Sequence, residues 1–322
     1  MTRVLVTGGS GFLGSHVVAA LAAHPDVDLV VSADVRTPAQ PRDGVVDAQA
    51  DVTVAGSLVP LLQEHAIDTV VHLAAIVNPG HDSELEYRVD VTGSEHVLNA
   101  CITAGVRRIV VSSSGAAYGY HADNPSWITE DWPARGSDEF AYSRHKALVE
   151  RMLTQARVDH PDLEQVVFRI GTILGPTVKN QITSLWDGKR ILAIRGSESP
   201  FVFVWAEDVA AAMVRASTSG PAGIYNVAGS GALSVTDIAR RLNKPLVRVP
   251  AGFLAFALRV GRALRLTVHG PAQVGFLQYR PVLDNTALRE QFGFTPSHTS
   301  AEAFEHYLAT HPGVALARIA PR

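Results

Sequence analysis

Apolar residues along this chain fall in short runs separated by amphipathic stretches, and the two kinds of segment alternate. Residues 4–6, 29–33, 67–73 and 108–112 read as short buried strands. Helical patterns over 15–23, 54–65 and 93–104 lie between them. Such alternation predicts an α/β protein with a doubly wound parallel sheet covered on both faces. A helix over 142–157 follows, then an apolar strand at 166–170. Beyond Gly171 the pattern loosens, punctuated by Gly175-Pro176, Gly188, Gly196, Ser199-Pro200 and Gly220-Pro221. A strand is predicted over 201–205, a helix over 207–216 and a strand over 224–227. The expected division is therefore 1–170 as one domain and 171–322 as mainly a smaller C-terminal subdomain, with segments near 201–228 returning to the first. No internal repeat or low-complexity linker interrupts this organisation.

Composition narrows the class. At 47% hydrophobic and 18% charged residues the chain has the material for a folded core rather than a disordered coil. With 28 basic and 31 acidic residues and no basic block, nothing marks it for a nucleic-acid backbone. Cys101 is the sole cysteine; an internal disulfide and a multi-cysteine metal site are both excluded, and its apolar surroundings suggest a buried structural thiol. The histidines are dispersed, so no metal site is expected. The chain passes from Met1 straight into a strand and glycine turn, so no secretory signal is expected and a cytoplasmic location is. Residues 251–266 come nearest to a membrane segment, but they are too short to span a bilayer and Arg259, Arg262 and Arg265 interrupt them. Two readings of this helix stand: packing over a substrate pocket, or lying on a membrane surface. Stable insertion is not expected.

The turn after the first strand carries Gly8, Gly11 and Gly14 at intervals of three, with Phe12 and Leu13 opening a helix. Glycines permit a tight turn and bring backbone N–H groups close to a pyrophosphate at the positive end of the helix dipole. Asp34 ends the second strand, where a carboxylate can accept hydrogen bonds from ribose hydroxyls and repels a 2′-phosphate. NAD is favoured over NADP on that ground, although Arg36 could turn toward a phosphate. Asp51 and Val52 could bracket the adenine, or Asp51 could cap the turn beside Thr53. Leu73, Ala74 and Ala75 end a buried strand where small side chains leave room for the cofactor. His72 reads as a packed strand residue.

The chemical candidates follow. Tyr142 and Lys146 stand at i and i+4, neighbouring positions on one helical face, and no other tyrosine has a lysine at this interval. A phenol is a poor base near neutral pH, its ordinary pKa being about 10, and a nearby ammonium favours the phenolate. Lys146 could also hold the nicotinamide ribose. The strand at 108–112 runs out into Ser112, Ser113 and Ser114 at the sheet edge that presents ligand groups. Ser114 is the candidate donor to the substrate oxygen, with Ser113 its main competitor. Together these groups imply hydride and proton exchange at an alcohol or ketone carbon. His145 falls on a different helical face and is expected to face solvent or an interface.

In their order, these residues resemble the extended short-chain dehydrogenase/reductase family, particularly its NAD-dependent epimerase/dehydratase branch. The glycine turn, Asp34, Asp51-Val52, His72-Leu73-Ala74-Ala75, Ser114 and Tyr142 with Lys146 carry the resemblance. Further along, so do Phe168-Arg169, Gly175-Pro176, Glu207-Asp208-Val209-Ala210 and Tyr225-Asn226-Val227. It implies a Rossmann NAD-binding domain, a C-terminal substrate-binding subdomain and a homodimer formed partly through the Tyr142 helix. The substrate motifs depart from the family pattern: Thr172 replaces a frequent Asn, Phe201 or its neighbour replaces a frequent Arg, and Asp90 stands where Asn is common. Arg280 could meet a diphosphate.

Phe201, Phe203, Trp205, Phe253, Phe256 and Phe276 read either as an apolar pocket or as ordinary core; on the pocket reading the first expectation is an NAD-dependent alcohol/ketone oxidoreductase with an apolar substrate. Epimerisation or dehydration of a nucleotide-linked sugar is the alternative, and a non-catalytic cofactor-binding regulatory or structural protein is a second one.

Overall fold

The computed structural model describes residues 1–36, 38, 42–77, 83–178, 180–264, 267 and 270–315. Its strands, in chain order, are β1 (Thr2–Thr7), β2 (Val27–Asp34), β3 (Val45–Gln49), β4 (Thr69–His72), β5 (Arg108–Ser114), β6 (Glu164–Ile170), β7 (Thr172–Leu174), β8 (Ile191–Ile194), β9 (Phe203–Trp205), β10 (Gly223–Val227) and β11 (Leu246–Val249). Seven of them form the main sheet in the order β3-β2-β1-β4-β5-β6-β10, every neighbouring pair parallel. This is the doubly wound Rossmann arrangement, with its change of winding direction between β1 and β4.

Alternation along each strand explains the two covered faces. In β1, Val4 and Val6 join one core with the helices Phe12–Ala22 and Ala206–Thr218, while Leu5 joins another beneath Gly93–Ala104 and Ala141–Asp159. Strand β5 divides the same way: Val110 goes to the first core, Ile109 and Val111 to the second. A period of two with both faces apolar produces a buried parallel sheet. Cys101 lies fully buried in the second core, and burial pushes its thiol pKa up to about 12, which makes it a packed apolar group.

Two expectations are corrected and one strand was missed. The helix read over 54–65 is confined to Val59–Glu64; Gly56 takes the left-handed conformation (φ +75°) and Pro60 opens the helix, so the chain turns first. Strand β3 was unread. The strand near 201–205 does not rejoin the main sheet: β9 pairs with β7 in a separate two-stranded ribbon. The chain leaves the sheet at Gly171, whose N–H donates to Val227 O; within 201–228 the helix Ala206–Thr218 packs back on the main sheet and β10 rejoins it. Around the ribbon, Trp186, Phe201, Phe203, Phe304 and Tyr307 build the C-terminal subdomain's own core.

Beneath the Ala141–Asp159 helix lies a buried ion pair. Arg169 of β6 donates from Nε and Nη2 to Glu150, both side chains 5% exposed. Arg169 also donates to Tyr118 Oη at 2.8 Å and to Glu130 O at 2.9 Å. Removing one partner of such a pair leaves an uncompensated buried charge. Glu150→Ala is expected to lower unfolding stability by about 3–5 kcal/mol, read from urea denaturation; a loss below about 1 kcal/mol would show that Arg169 is satisfied by its other partners.

Candidate active site

The glycine turn sits at the C-terminal end of β1, pressed against the chain leaving β4. Gly8 has φ +71°, and a Cβ there would stand 2.8 Å from Ala74 N. A Cβ on Gly14 would lie 2.0 Å from Gly8 O. Gly11 opens the Phe12–Ala22 helix without a side-chain cap, so its first N–H groups are left for a ligand. This narrow cradle, walled by the partly exposed Leu73, Ala74 and Ala75, fits a dinucleotide pyrophosphate by the glycine criterion.

The acidic and basic candidates around it have partners already. Asp34 accepts from the N–H of Ser10 (3.0 Å) and of Arg36 (3.1 Å); its carboxylate has further lone pairs for ribose hydroxyls. The Arg36 side chain is exposed. Arg42, which the sequence reading passed over, reaches Ser32 Oγ and Gly9 O and pairs with Asp47 beside the turn. Asp51 caps the turn at Thr53, accepting from its N–H and hydroxyl at 2.8 Å each. Val52 is buried, and a Cβ on Gly93 would strike it at 2.8 Å. Phe12 and Leu13 face inward: a Cβ on Gly175 would meet the Phe12 ring at 2.9 Å, and Leu13 packs on the sheet core.

The hydroxyl row at the end of β5 is sorted by the strand's alternation. Ser113 turns inward and donates to Glu150, which removes it from the site. Ser112 offers its carbonyl to Lys146 Nζ at 2.8 Å. Ser114 remains partly exposed and caps the following turn, accepting from Ala116 N–H at 3.1 Å. That turn is fastened to the Ala141–Asp159 helix by Ser143, whose hydroxyl donates to Ala116 O at 2.6 Å and accepts from Ser137 N–H. On the same helix Tyr142 is half-buried, with the Lys146 ammonium 5.7 Å from its ring centroid.

His145 corrects the sequence reading. It is 1% exposed, and its Nδ1 lies 3.0 Å from Asp90 Oδ2. A π turn at Arg88–Thr92 carries Asp90 and packs over a face of the helix that a wheel drawn for one helix alone leaves to solvent. Asp90 also accepts from Ile76 N–H at 2.8 Å, joining the β4 loop to the Ala141–Asp159 helix.

His72 is structural, as read. The Ser94 hydroxyl donates to Asp90 O, so it accepts from His72 Nε2 (2.9 Å), and Nδ1 accepts from the Thr7 hydroxyl (2.8 Å). Burial first, then the nearby Lys146 charge, lower its pKa to about 3.

The substrate candidates are placed as follows. Thr172 opens β7, its N–H bonded to Val202 O. Phe201 is 4% exposed and lies under Arg280, whose guanidinium carbon is 3.8 Å from the ring centroid. With Trp186, Leu277 and others these two line an apolar cavity of about 50 Å³. Arg280 also faces Phe276 and donates from Nη1 to Ser199, while its Nε is buried with no hydrogen-bond partner among the described residues. Burial lowers its pKa to about 9, so it stays charged at neutral pH. Tyr120, a residue missed in the sequence, is coupled electrostatically to both Arg280 and Tyr142. Burial and the charge of Tyr142 raise its pKa, and Arg280 opposes them; its ring packs edge-on against Phe140 and Phe276. The Tyr118-Gly119-Tyr120 step beyond the hydroxyl row was the available signal.

Comparison with known proteins bears on this geometry. The sequence profile of the NAD dependent epimerase/dehydratase family matches residues 4–228. The chain belongs to that family. It is an NAD-dependent enzyme of the extended short-chain dehydrogenase/reductase type. It is 29% identical over 313 residues to an uncharacterised protein of Mycobacterium tuberculosis strain H37Rv, covering 94% of this chain and 82% of the relative. It is 27% identical over 318 residues to that organism's dTDP-glucose 4,6-dehydratase, covering 93% and 90%. In fold it is similar to the UDP-glucose 4-epimerase of Thermotoga maritima, solved with UDP-glucose (TM-score 0.74, 19% identity, covering 97% and 100%).

Two outcomes follow. Tyr142→Phe is expected to keep NAD affinity and lower turnover by about 10²–10⁴-fold, measured by calorimetry and steady-state kinetics; full turnover would remove Tyr142 from the chemistry. For His72, the unfolded chain takes a proton below about pH 6.5 that the folded protein refuses until about pH 3. Stability is therefore lost as pH falls from 6.5 toward 3, at up to about 1.4 kcal/mol per pH unit. His72→Gln is expected to flatten the slope of unfolding free energy between pH 5 and 7; an unchanged slope would contradict a neutral buried imidazole.

Proposed function

We propose that the enzyme epimerises a nucleoside diphosphate sugar, with NAD retained through the cycle. The observation that carries this reading is Arg280: a charged guanidinium with no carboxylate within ion-pair distance among the described residues, one tyrosine removed from Tyr142. A partly buried cation without a counter-charge can take an anion, and a diphosphate supplies one. Two of the relatives named above, the dTDP-glucose 4,6-dehydratase and the UDP-glucose 4-epimerase, act on nucleotide-linked glucose, which supports the same class.

The case for an apolar substrate weakens on the same geometry. Phe201, Phe203 and Trp205 belong to the aromatic core around Trp186, and Phe253 and Phe256 point to solvent. Of the aromatic residues behind that expectation, Phe276 and the ring of Phe201 stand against Arg280. Dehydration is disfavoured because Gly115 and Ala116 follow Ser114, leaving no carboxylate pair beside it to assist elimination.

In this reading the glycine cradle, Asp34 and the Leu73–Ala75 edge hold the dinucleotide, and residues from 171 onward form most of the sugar-nucleotide site. Bound NAD supplies hydride acceptance and return at one sugar carbon. Tyr142 takes the proton of the hydroxyl on that carbon and gives it back. Lys146, fixed by Ser112 O, favours the phenolate and orients the ribose. Ser114 donates to the same oxygen as it becomes a carbonyl.

Calorimetric titration of the NAD-saturated enzyme with UDP and with dTDP tests this directly. Saturable binding of one is expected, weakened by Arg280→Leu about 10–100-fold, the worth of a charge-assisted hydrogen-bonded contact. NMR of the matching nucleotide sugar should show interconversion of epimers without accumulation of reduced cofactor. Absence of binding to either nucleotide would overturn the reading.

A further inference from the structure

The helix Ala251–Ala263 has no buried residue. Leu254, Ala255 and Leu258 on one face rest against Ile194, Val274, Phe276 and Leu277, so it is anchored to the subdomain. The opposite face is an apolar stripe turned to solvent. Phe253 is 64% exposed, Phe256 65%, Val260 40% and the following Leu264 63%. These positions recur at helical spacing, so they form one continuous strip. Single exposed apolar residues are ordinary, but four large ones in register mark a contact surface.

Charge identifies the partner. The helix contains no Asp or Glu, and Arg259 and Arg262 are exposed with no carboxylate within 4 Å among the described residues. Arg265, the third arginine of the sequence pattern, lies outside the described residues. The chain as a whole carries a formal charge of −3, so this helix is a local cationic exception. Aromatic and aliphatic residues on one strip, with the unpaired Arg259 on its flank and Arg262 further round toward the anchored side, form a pattern that settles into a headgroup layer, the Arg259 stem lying along the apolar boundary. A second copy fits less well: a two-fold contact through this strip would bring two arginine sets together with no acid to answer them. Crossing is ruled out for the described helices, none of which is long and apolar enough.

We infer that this helix docks the enzyme on an anionic lipid bilayer, Phe253, Phe256, Val260 and Leu264 entering the interface while the arginines meet lipid phosphates. The test is co-sedimentation of the full-length enzyme with vesicles of phosphatidylcholine containing about one-third phosphatidylglycerol, beside vesicles of phosphatidylcholine alone, at low and high salt. Binding to the anionic vesicles is expected, weaker at high salt. Phe253→Ser with Phe256→Ser is expected to abolish it, and Arg259→Gln to weaken it about fivefold, one arginine's share. None of these residues touches the proposed active site, so thermal unfolding and turnover should be unchanged and will show that the variants fold. Failure of the wild-type enzyme to bind anionic vesicles would overturn the proposal, as would binding that the double variant retains. Concentration-dependent self-association abolished by the double variant, without vesicle binding, would assign the strip to a second copy instead.

Discussion

Glu150 projects from the buried face of the Ala141–Asp159 helix, and three demands converge on its carboxylate. Arg169 needs a counter-charge in the sheet, Ser113 needs an acceptor in a dry interior, and the helix needs a fixed azimuth over the strands. Meeting the first two satisfies the third. With Ser113 turned inward, the pleat of β5 turns the Ser112 and Ser114 side chains to the other face and leaves the Ser114 hydroxyl at the sheet edge, while the Ser112 carbonyl accepts from Lys146. The same guanidinium reaches Tyr118, which is bonded in turn to Asn226 of β10. The registry of the chemical groups is thus set by a salt bridge none of them belongs to.

How much of this could be read from the chain depends on the range of the interactions. The inner strands were legible because both faces are apolar, and the cofactor cradle because glycine spacing is local. Strand β3 was not: Val45, Val46, Asp47 and Ala48 are only partly buried, and its position comes from pairing with β2 at the sheet edge. Tyr142 and Lys146 were legible as an i, i+4 pair. His145 was not, because its burial depends on Asp90 in a π turn that no period of 3.6 announces. Arg42 had no local signal either; its role beside the glycine turn follows from Asp47 and Ser32 arriving from neighbouring strands.

The aromatic residues show the same limit in the substrate subdomain. As a list they suggested an apolar pocket, and the pattern was insufficient to separate three destinations. Phe203 and Trp205 fill the core between the small ribbon and the Ser300–Thr310 helix. Phe253 and Phe256 face outward. Phe201 lies at a boundary, its ring stacked on Phe203 and its other side under Arg280. A core aromatic here also serves as the floor on which a cation rests.

That floor explains how an arginine is kept charged and available at once. A carboxylate partner would have stabilised Arg280 but also occupied it. Held instead by the π faces of Phe201 and Phe276 and by Ser199, it retains its charge with one nitrogen unsatisfied. Cation–π contacts contribute about 0.5–2 kcal/mol each, less than the cost of desolvating a guanidinium, which is why burial still lowers its pKa to about 9. The remaining deficit is the part an incoming anion can offset. Tyr120 is coupled electrostatically both to Arg280 and to Tyr142, so in the proposed reading the anion site and the proton-transfer site share that one neighbour.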